Sequence, residues 1–253
     1  MVATFLALSM LRQNPAPPEV VLPPEWNVHY WSKEGFGTGE IDGPHGEVLI
    51  FPGYNATGAL AATIRETAPG SLQVRTILGG WRVDIAVRKD GYLAVSYPPA
   101  PEKKGRCFDY WMHPRSAREG AFALAIALTR PQILGTREPN AEEVAMFSNI
   151  PPGTKYPFDH MFVDWPFTYA GWSSDKVEFK NKEGLTVSRQ SGAPAKVKWQ
   201  DQMTILGRDL VWGEDVSGHG WAMVKDGQSV FVSSAANNQG VALTLVLALT
   251  AKP

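Results

Sequence analysis

Three short segments of this chain occur twice, in the same order. In the first half they are residues 76–79 (TILG), 86–91 (AVRKDG) and 122–129 (FALAIALT); they return as 204–207 (TILG), 222–227 (AMVKDG) and 243–250 (LTLVLALT). Three matches in one order indicate an internal duplication. We therefore predict two related lobes, 26–130 and 158–253, separated by a connector at 131–157.

The repeated segments predict strands and turns. Large side chains alternate strictly with small ones through 122–129, and large ones recur at every second position of 243–250. A period of two is typical of a strand, and a helix is the alternative because Ala and Leu are strong helix formers. Asp90-Gly91 and Asp226-Gly227 each separate two strand-like runs, which favours hairpins with two-residue type I′ turns. We expect a mainly β (β-rich α+β) fold, each lobe being a β-sandwich or a sheet with at most one covering helix.

Few helices are expected. Asn55 is placed to start one that continues to Arg65, and Asn140 to start a short one in the connector that ends at Phe147.

The N-terminal residues suggest a location. Residues 2–11 form an apolar stretch of the length of a signal-peptide core, too short to span a membrane, and a proline-rich spacer continues to residue 25. An extracytoplasmic or secreted protein is expected. A cytoplasmic protein in which 2–11 form a first buried strand is the alternative.

The charge balance and the single cysteine exclude or disfavour several kinds of partner and site. The 24 Lys and Arg residues nearly balance the 25 Asp and Glu residues, and no run of like charge occurs. This pattern disfavours nucleic acid and anionic membrane surfaces as partners. The single cysteine excludes a disulfide within the chain and a zinc site built on several thiolates. No dinucleotide, phosphate-loop or metalloprotease motif occurs, and we expect neither cofactor nor metal.

The two copies differ in length, which predicts where function lies. The second copy is longer before its Asp-Gly turn and the first is longer after its own, which assigns insertions to 213–220 and 98–113. Shared parts of a duplicated scaffold serve the fold, so the unshared loops are the expected functional segments.

The first candidate site is residues 213–220. Glycines flank His219, and Glu214 or Asp215 can orient its imidazole or join it as a metal ligand. With His45 or His160 from another segment, this set predicts a hydrolase whose cleft lies between the lobes.

The second candidate segment surrounds the only cysteine. As a strand, 107–113 places Cys107, Asp109, Trp111 and His113 on one face. Cys107 and His113 would lie about 20 Å apart at the rise of a strand, too far for a direct Cys-His pair. We therefore interpret the segment as a half-buried strand.

The aromatic content favours binding. Nine Trp and seven Tyr residues offer flat amphipathic surfaces for carbohydrate or for a protein partner. Trp111, Trp212 and Tyr110, in or beside the unshared segments, are the predicted ligand contacts. The leading hypothesis is a non-catalytic binding or assembly module with an aromatic-rich recognition surface. A hydrolase and a self-assembling capsid-like β protein are the alternatives, and an oligomer is compatible with all three.

Overall fold

A computed structural model of the chain describes residues 27–33, 36–43, 46–55, 61, 64, 67–79, 81–98, 107–129, 161–164, 168–173, 176–180, 184–225 and 229–251. This part of the protein is mostly β, with two antiparallel sheets and two helices.

The first sheet has eight strands in the order β1-β2-β3-β7-β6-β5-β4-β8. Their bounds are β1 Asn27–Lys33, β2 Phe36–Gly43, β3 Gly46–Asn55, β4 Leu72–Leu78, β5 Trp81–Val87, β6 Leu93–Tyr97, β7 Cys107–Met112 and β8 Met161–Asp164. Asn55 is the last residue of β3, and Ala61, Ile64 and Thr67 are helical. Residues 56–60, which decide whether the predicted helix begins at Asn55, and the predicted helix from Asn140 to Phe147 lie outside the described residues.

The second sheet has seven strands in the order β12-β13-β14-β15-β11-β10-β9. Their bounds are β9 Thr168–Ser173, β10 Lys176–Lys180, β11 Thr186–Ser191, β12 Val197–Ile205, β13 Arg208–Asp215, β14 Gly220–Val224 and β15 Ser229–Ser233. From β9 to β15 the spatial order repeats that of β1 to β7, strand for strand. The strand without a counterpart is β8, which lies in the predicted second lobe but pairs with β4 of the first sheet.

The third repeated segment is helical in both halves, which corrects the strand prediction. Helix α1 spans Ala117–Thr129 after β7, and α2 spans Asn238–Thr250 after β15. All residues of α2 from Gln239 onward are buried, and so are residues 119–128 of α1. A helix buried all round has no polar face, so its sequence lacks the 3.6-residue period that marks a surface helix. The alternation of large and small side chains therefore had the two-residue period of a strand.

One apolar core runs through both halves of the chain. Helix α1 contacts β3, β6 and β7 of the first sheet and β12 of the second, whereas α2 contacts four strands of the second sheet and β4 and β5 of the first. The two helices also contact each other. Phe122 of α1 and Trp212 of β13 meet edge to face, with ring centroids 5.1 Å apart. The predicted lobes therefore share their hydrophobic interior.

The first Asp-Gly hairpin forms, but with a different turn. Arg88 N–H donates to Tyr92 O, and Gly91 N–H donates to Arg88 O. These bonds enclose a three-residue loop in which Gly91 has a φ of 89° and Asp90 has a negative φ. A type I turn followed by a left-handed glycine has this pattern, so the two-residue type I′ prediction is wrong for this loop.

The two Lys-Asp-Gly segments lie in hairpins that are not equivalent in strand order. The first joins β5 to β6, whereas the second lies between β14 and β15, and its Asp226-Gly227 turn is outside the described residues. The counterpart of the β5–β6 hairpin is the β13–β14 hairpin, which contains the predicted insertion 213–220. That segment is therefore two strand ends and a short loop at 216–219, rather than an added loop.

The TILG segments also differ in register. In the first sheet Leu78 pairs with Trp81 across a two-residue loop, whereas in the second Ile205 pairs with Arg208, one position earlier in the motif. A shift of one residue exchanges the two faces of a strand. Accordingly Thr76 is fully buried, but Thr204 is partly exposed.

Candidate functional site

An aromatic patch lies at the surface beside the β5–β6 loop. Trp111 of β7 is 43 % exposed, and its ring centroid is 5.2 Å from that of Tyr92. The Tyr92 ring also lies 5.9 Å from the ring of His113, and the guanidinium carbon of Arg88 is 5.3 Å from the Tyr92 centroid. These four side chains, from adjacent strands and the loop between two of them, are called the aromatic patch below.

The β5–β6 loop holds Tyr92 in this position. The backbone carbonyl of Tyr92 accepts from Arg88 N–H, and the Tyr92 N–H faces the Asp90 carboxylate. The pKa of Tyr92 is raised to about 12, mainly because the phenol is partly buried. The nearby Arg88 charge lowers this pKa and the Asp90 carboxylate raises it, both by less than burial does. The phenol therefore stays protonated, and can donate a hydrogen bond, throughout the physiological pH range.

A cavity of about 360 Å³ opens beside the same loop. Three segments line it: 88–91 of the loop, 114–117 at the start of α1, and 237–239 at the start of α2. Arg88 belongs both to the cavity wall and to the aromatic patch. The patch and the cavity are therefore adjoining parts of one surface.

The side chains around the cavity are predominantly cationic. Arg88, Lys89 and Arg115 contribute three positive charges and Asp90 one negative charge. Arg88 forms a bidentate pair with Asp90, at 3.1 and 2.6 Å. No acidic side chain contacts the Arg115 guanidinium within the described residues. The Arg115 guanidinium is thus available to an anionic group at this cavity.

The starts of both helices are fixed by side-chain caps. Glu119 N–H donates to Ser116 Oγ, and a Glu119 carboxylate oxygen accepts from Arg115 N–H at 2.8 Å. Asn237 caps α2 by accepting from Gly240 N–H, also at 2.8 Å. Ser116 with Glu119 is a capping-box pattern, and it was the sequence signal that could have identified the start of α1.

The other two predicted ligand contacts lie in the core. Trp212 is fully buried against Phe122, and Tyr110 is 4 % exposed with its ring edge to face with that of Tyr97. Neither ring presents a face to solvent in this structure. Among the predicted ligand contacts, Trp111 alone lies at the surface.

Asp215 and His219 do come together, at the tip of the β13–β14 hairpin. Asp215 Oδ2 lies 2.9 Å from His219 Nδ1, and Oδ1 accepts from the backbone N–H groups of Ser217 and His219. Desolvation raises the pKa of Asp215, but the hydrogen bonds from His219 and Ser217 outweigh it, so the net shift is downward. Both carboxylate oxygens are thus engaged in closing the loop.

Glu214, the other predicted partner of His219 within the described residues, binds different side chains. Glu214 accepts from Lys198 Nζ at 2.9 Å and from Trp199 Nε1 at 2.8 Å. His113 belongs to the aromatic patch beside the first sheet, and His45 and His160 lie outside the described residues.

The Cys107 segment forms a buried polar cluster. Asp109 is buried, and its Oδ1 accepts from Ser96 Oγ and, at 3.4 Å, from the Cys107 thiol. Ser96 in turn accepts from Ala61 N–H at 3.0 Å. Burial first, and then the Asp109 carboxylate, raise the pKa of Cys107 well above that of an ordinary thiol. The segment is buried at Cys107 and Asp109 and exposed at Trp111 and His113, as in the predicted half-buried strand, and Asp109 meets its cross-strand partner Ser96.

Two properties of the described residues concern metal binding and membrane insertion. No three His, Cys, Asp or Glu side chains converge there as they would around a metal ion. None of the helices described is long and apolar enough to cross a membrane.

No family model, curated protein or solved structure matches this chain.

Proposed function

We propose that this protein is a non-catalytic binding module that recognises an acidic saccharide. The aromatic patch stacks against the apolar face of a sugar ring, and the adjoining cavity receives the carboxylate of that sugar or of its neighbour. An extracytoplasmic location, expected from residues 2–11, fits such a ligand and stays a prediction.

The exposed Trp111 in contact with Tyr92 carries this proposal. Tryptophan and tyrosine have a flat apolar body and a polar edge, which suits the C–H face and the hydroxyl rim of a sugar. Tyr92 is the protonated donor in this arrangement, and the Arg88 guanidinium borders its ring.

The cavity supports the acidic character of the ligand. Its volume of about 360 Å³ lies within the range of small-molecule pockets. Arginine matches a carboxylate with two parallel hydrogen bonds, and Arg115 lies at the cavity without an acidic partner among the described residues. A neutral sugar would leave this charge uncompensated by the ligand.

A paired titration tests the proposal. Calorimetry with a hexuronic acid oligomer and with the matched neutral hexose oligomer should detect binding of the acidic one in preference. Trp111→Ala should weaken that binding at least about tenfold, a change of about 1.4 kcal/mol. Val216→Ala, at an exposed apolar residue in the β13–β14 loop, is the control and should bind like the wild type. Equal affinity of the Trp111→Ala and wild-type proteins would exclude the patch as the recognition surface.

The hydrolase alternative rests on the contact between Asp215 and His219. The carboxylate orients the imidazole, as a base in a hydrolase requires. The same carboxylate also binds two backbone N–H groups of its own loop, which is the arrangement of a turn cap. The contact therefore has a structural role in the loop and does not by itself favour the hydrolase.

We also propose that the two halves arose by duplication. Three features support it: the seven-strand order shared by β1–β7 and β9–β15, the helix of 13 residues that follows each set, and a capping residue, Ser116 or Asn237, directly before each helix. The contacts of α1 with β12 and of α2 with β4 are reciprocal in this scheme. Separate expression of 26–130 and 158–253 should then yield chains that fold only when mixed, because each helix buries surface on both sheets.

A further inference from the structure

The two sheets differ at one edge. In the first sheet β4 is covered by β8, which pairs antiparallel with it from Gln73↔Asp164 to Thr76↔Met161. In the second sheet β12 holds the position of β4, and it is the outermost strand of the described sheet. The second sheet therefore ends in a nine-residue strand at the place where the first sheet accepts a partner strand.

The backbone groups on the outer side of β12 have no partner within the described part of the chain. Ile205 and Arg208 close the β12–β13 hairpin, and Asp209 O accepts from Lys225 N–H on the far side of β13. Hydrogen-bonded and non-bonded pairs alternate in an antiparallel ladder. The N–H and C=O groups of Gln200, Gln202 and Thr204 thus point away from β13. None of these three residues forms a further backbone bond to any residue that the structure describes.

We propose that β12 pairs with β12 of a second copy of this chain, antiparallel and centred on Gln202. This register opposes Gln202 to Gln202 and Gln200 to Thr204, so it uses the outward-facing backbone groups of all three residues. The result is one continuous sheet across a twofold axis, a self-complementary contact of the kind that closed dimers use.

The side chains of β12 permit this pairing. Gln200, Gln202 and Thr204 are uncharged, so no like charges face each other across the axis. Asp201 points to the buried side, where Arg118 neutralises it. When β12 pairs with itself, its first half faces its second half, so the residues of the two halves must be compatible. Gln200 and Thr204 meet this condition, which favours a second copy over an unrelated extended peptide as the occupant.

Sedimentation analysis of the full chain tests the dimer. The wild type should sediment with twice the 27.7 kDa chain mass, in a concentration-dependent way. Gln202→Lys places two like charges across the axis and should give a monomer. Gln190→Lys adds the same charge at an exposed position of the inner strand β11 and should leave the dimer intact. An equal mixture of the Gln202→Lys and Gln202→Glu proteins should restore the dimer.

A cysteine variant tests the register. Directly opposed hydrogen-bonded residues have Cα atoms about 5.5 Å apart, within the span of a disulfide. Gln202→Cys should therefore oxidise to a covalent dimer, whereas Gln190→Cys should not, and the buried native Cys107 should not interfere. A wild type that stays monomeric up to about 1 mM, or a dimer that survives Gln202→Lys, would overturn the proposal.

Discussion

Arg118 of α1 and Asp201 of β12 form a bidentate ion pair that ties the helix of the first half to the edge strand of the second sheet. Its Nε–Oδ2 and Nη2–Oδ1 distances are 2.6 and 2.8 Å. The Asp201 side chain is 4 % exposed, and the guanidinium lies 5.8 Å from the centroid of the Trp199 ring. A second polar link runs the other way, from Gln239 of α2 to the carbonyl oxygens of Gly70 and Val87. The helices thus hold the two sheets together through polar contacts as well as through the core.

Removing Arg118 should destabilise the protein more than removing the whole pair. Arg118→Met leaves the buried Asp201 carboxylate without its cation, and the expected loss of unfolding free energy is about 3 kcal/mol. The double variant Arg118→Met, Asp201→Leu should recover much of that loss, because no buried charge remains. Urea denaturation of the wild type, both single variants and the double variant measures the coupling. Additive effects of the two single substitutions would show that the pair contributes no coupling energy.

The Cys107 thiol should be inert in the folded protein. It is buried, and the adjacent Asp109 disfavours its thiolate, which is the reactive form. An aromatic disulfide reagent should label it at the rate of unfolding under native conditions and immediately in denaturant. Rapid labelling of the native protein, without loss of secondary structure, would show that the cluster around Asp109 is open to solvent.

The Asp215 carboxylate should stay ionised to lower pH than an ordinary aspartate, which titrates at about 3.9. Since its pKa is lowered on folding, the stability it contributes is complete above that value and is lost as the pH falls through the folded pKa. Carboxyl carbon chemical shifts across an acid titration measure the midpoint. His219→Ala should move it upward by removing the imidazole contact; an unchanged midpoint in this variant would mean that backbone donors alone lower the pKa.

Tyr92 should titrate at a higher pH than an ordinary tyrosine. An unfolded tyrosine ionises near pH 10, and folded Tyr92 at about 12, so folding stability falls as the pH rises from 10 toward 12. The difference in phenolate absorbance between the wild type and Tyr92→Phe isolates its titration. A midpoint near 10 would mean that the phenol is fully hydrated and that the patch is looser than the structure shows.

The sequence indicated the mostly β class and the antiparallel hairpins, but not the two helices. Residues 119–128 and 239–250 are buried by both sheets and by each other, so no polar stripe records the helical period. Local signals did exist at the helix starts, where Ser116 precedes Glu119 by three positions and Asn237 directly precedes α2. These caps identify a helix start independently of hydrophobic period.

The functional segments were harder to predict, because short repeats gave the wrong correspondence between hairpins. Aligning the two Lys-Asp-Gly segments assigned an insertion to 213–220. Strand order instead makes the β13–β14 loop the counterpart of the β5–β6 loop, which contains Asp90 and precedes Tyr92. The exposure of tryptophans also depends on which face of a sheet is covered. Both residues lie on strands with a neighbour on each side, but Trp212 packs against Phe122 of α1, whereas the Trp111 side chain is 43 % exposed. The cavity draws on three segments distant in sequence and has no single motif.

The indole N–H signal of Trp111 in a nitrogen-correlated NMR titration tests the binding surface most directly. Trp111→Phe assigns that signal among the nine tryptophans. Addition of the hexuronic acid oligomer should shift the Trp111 signal progressively and leave that of buried Trp212 in place. Arg115→Gln should weaken this response, whereas the control Arg189→Gln, on the second sheet, should not. A Trp111 signal that stays fixed while the oligomer binds, or that shifts equally with the neutral oligomer, would contradict the proposed recognition of an acidic saccharide at this patch.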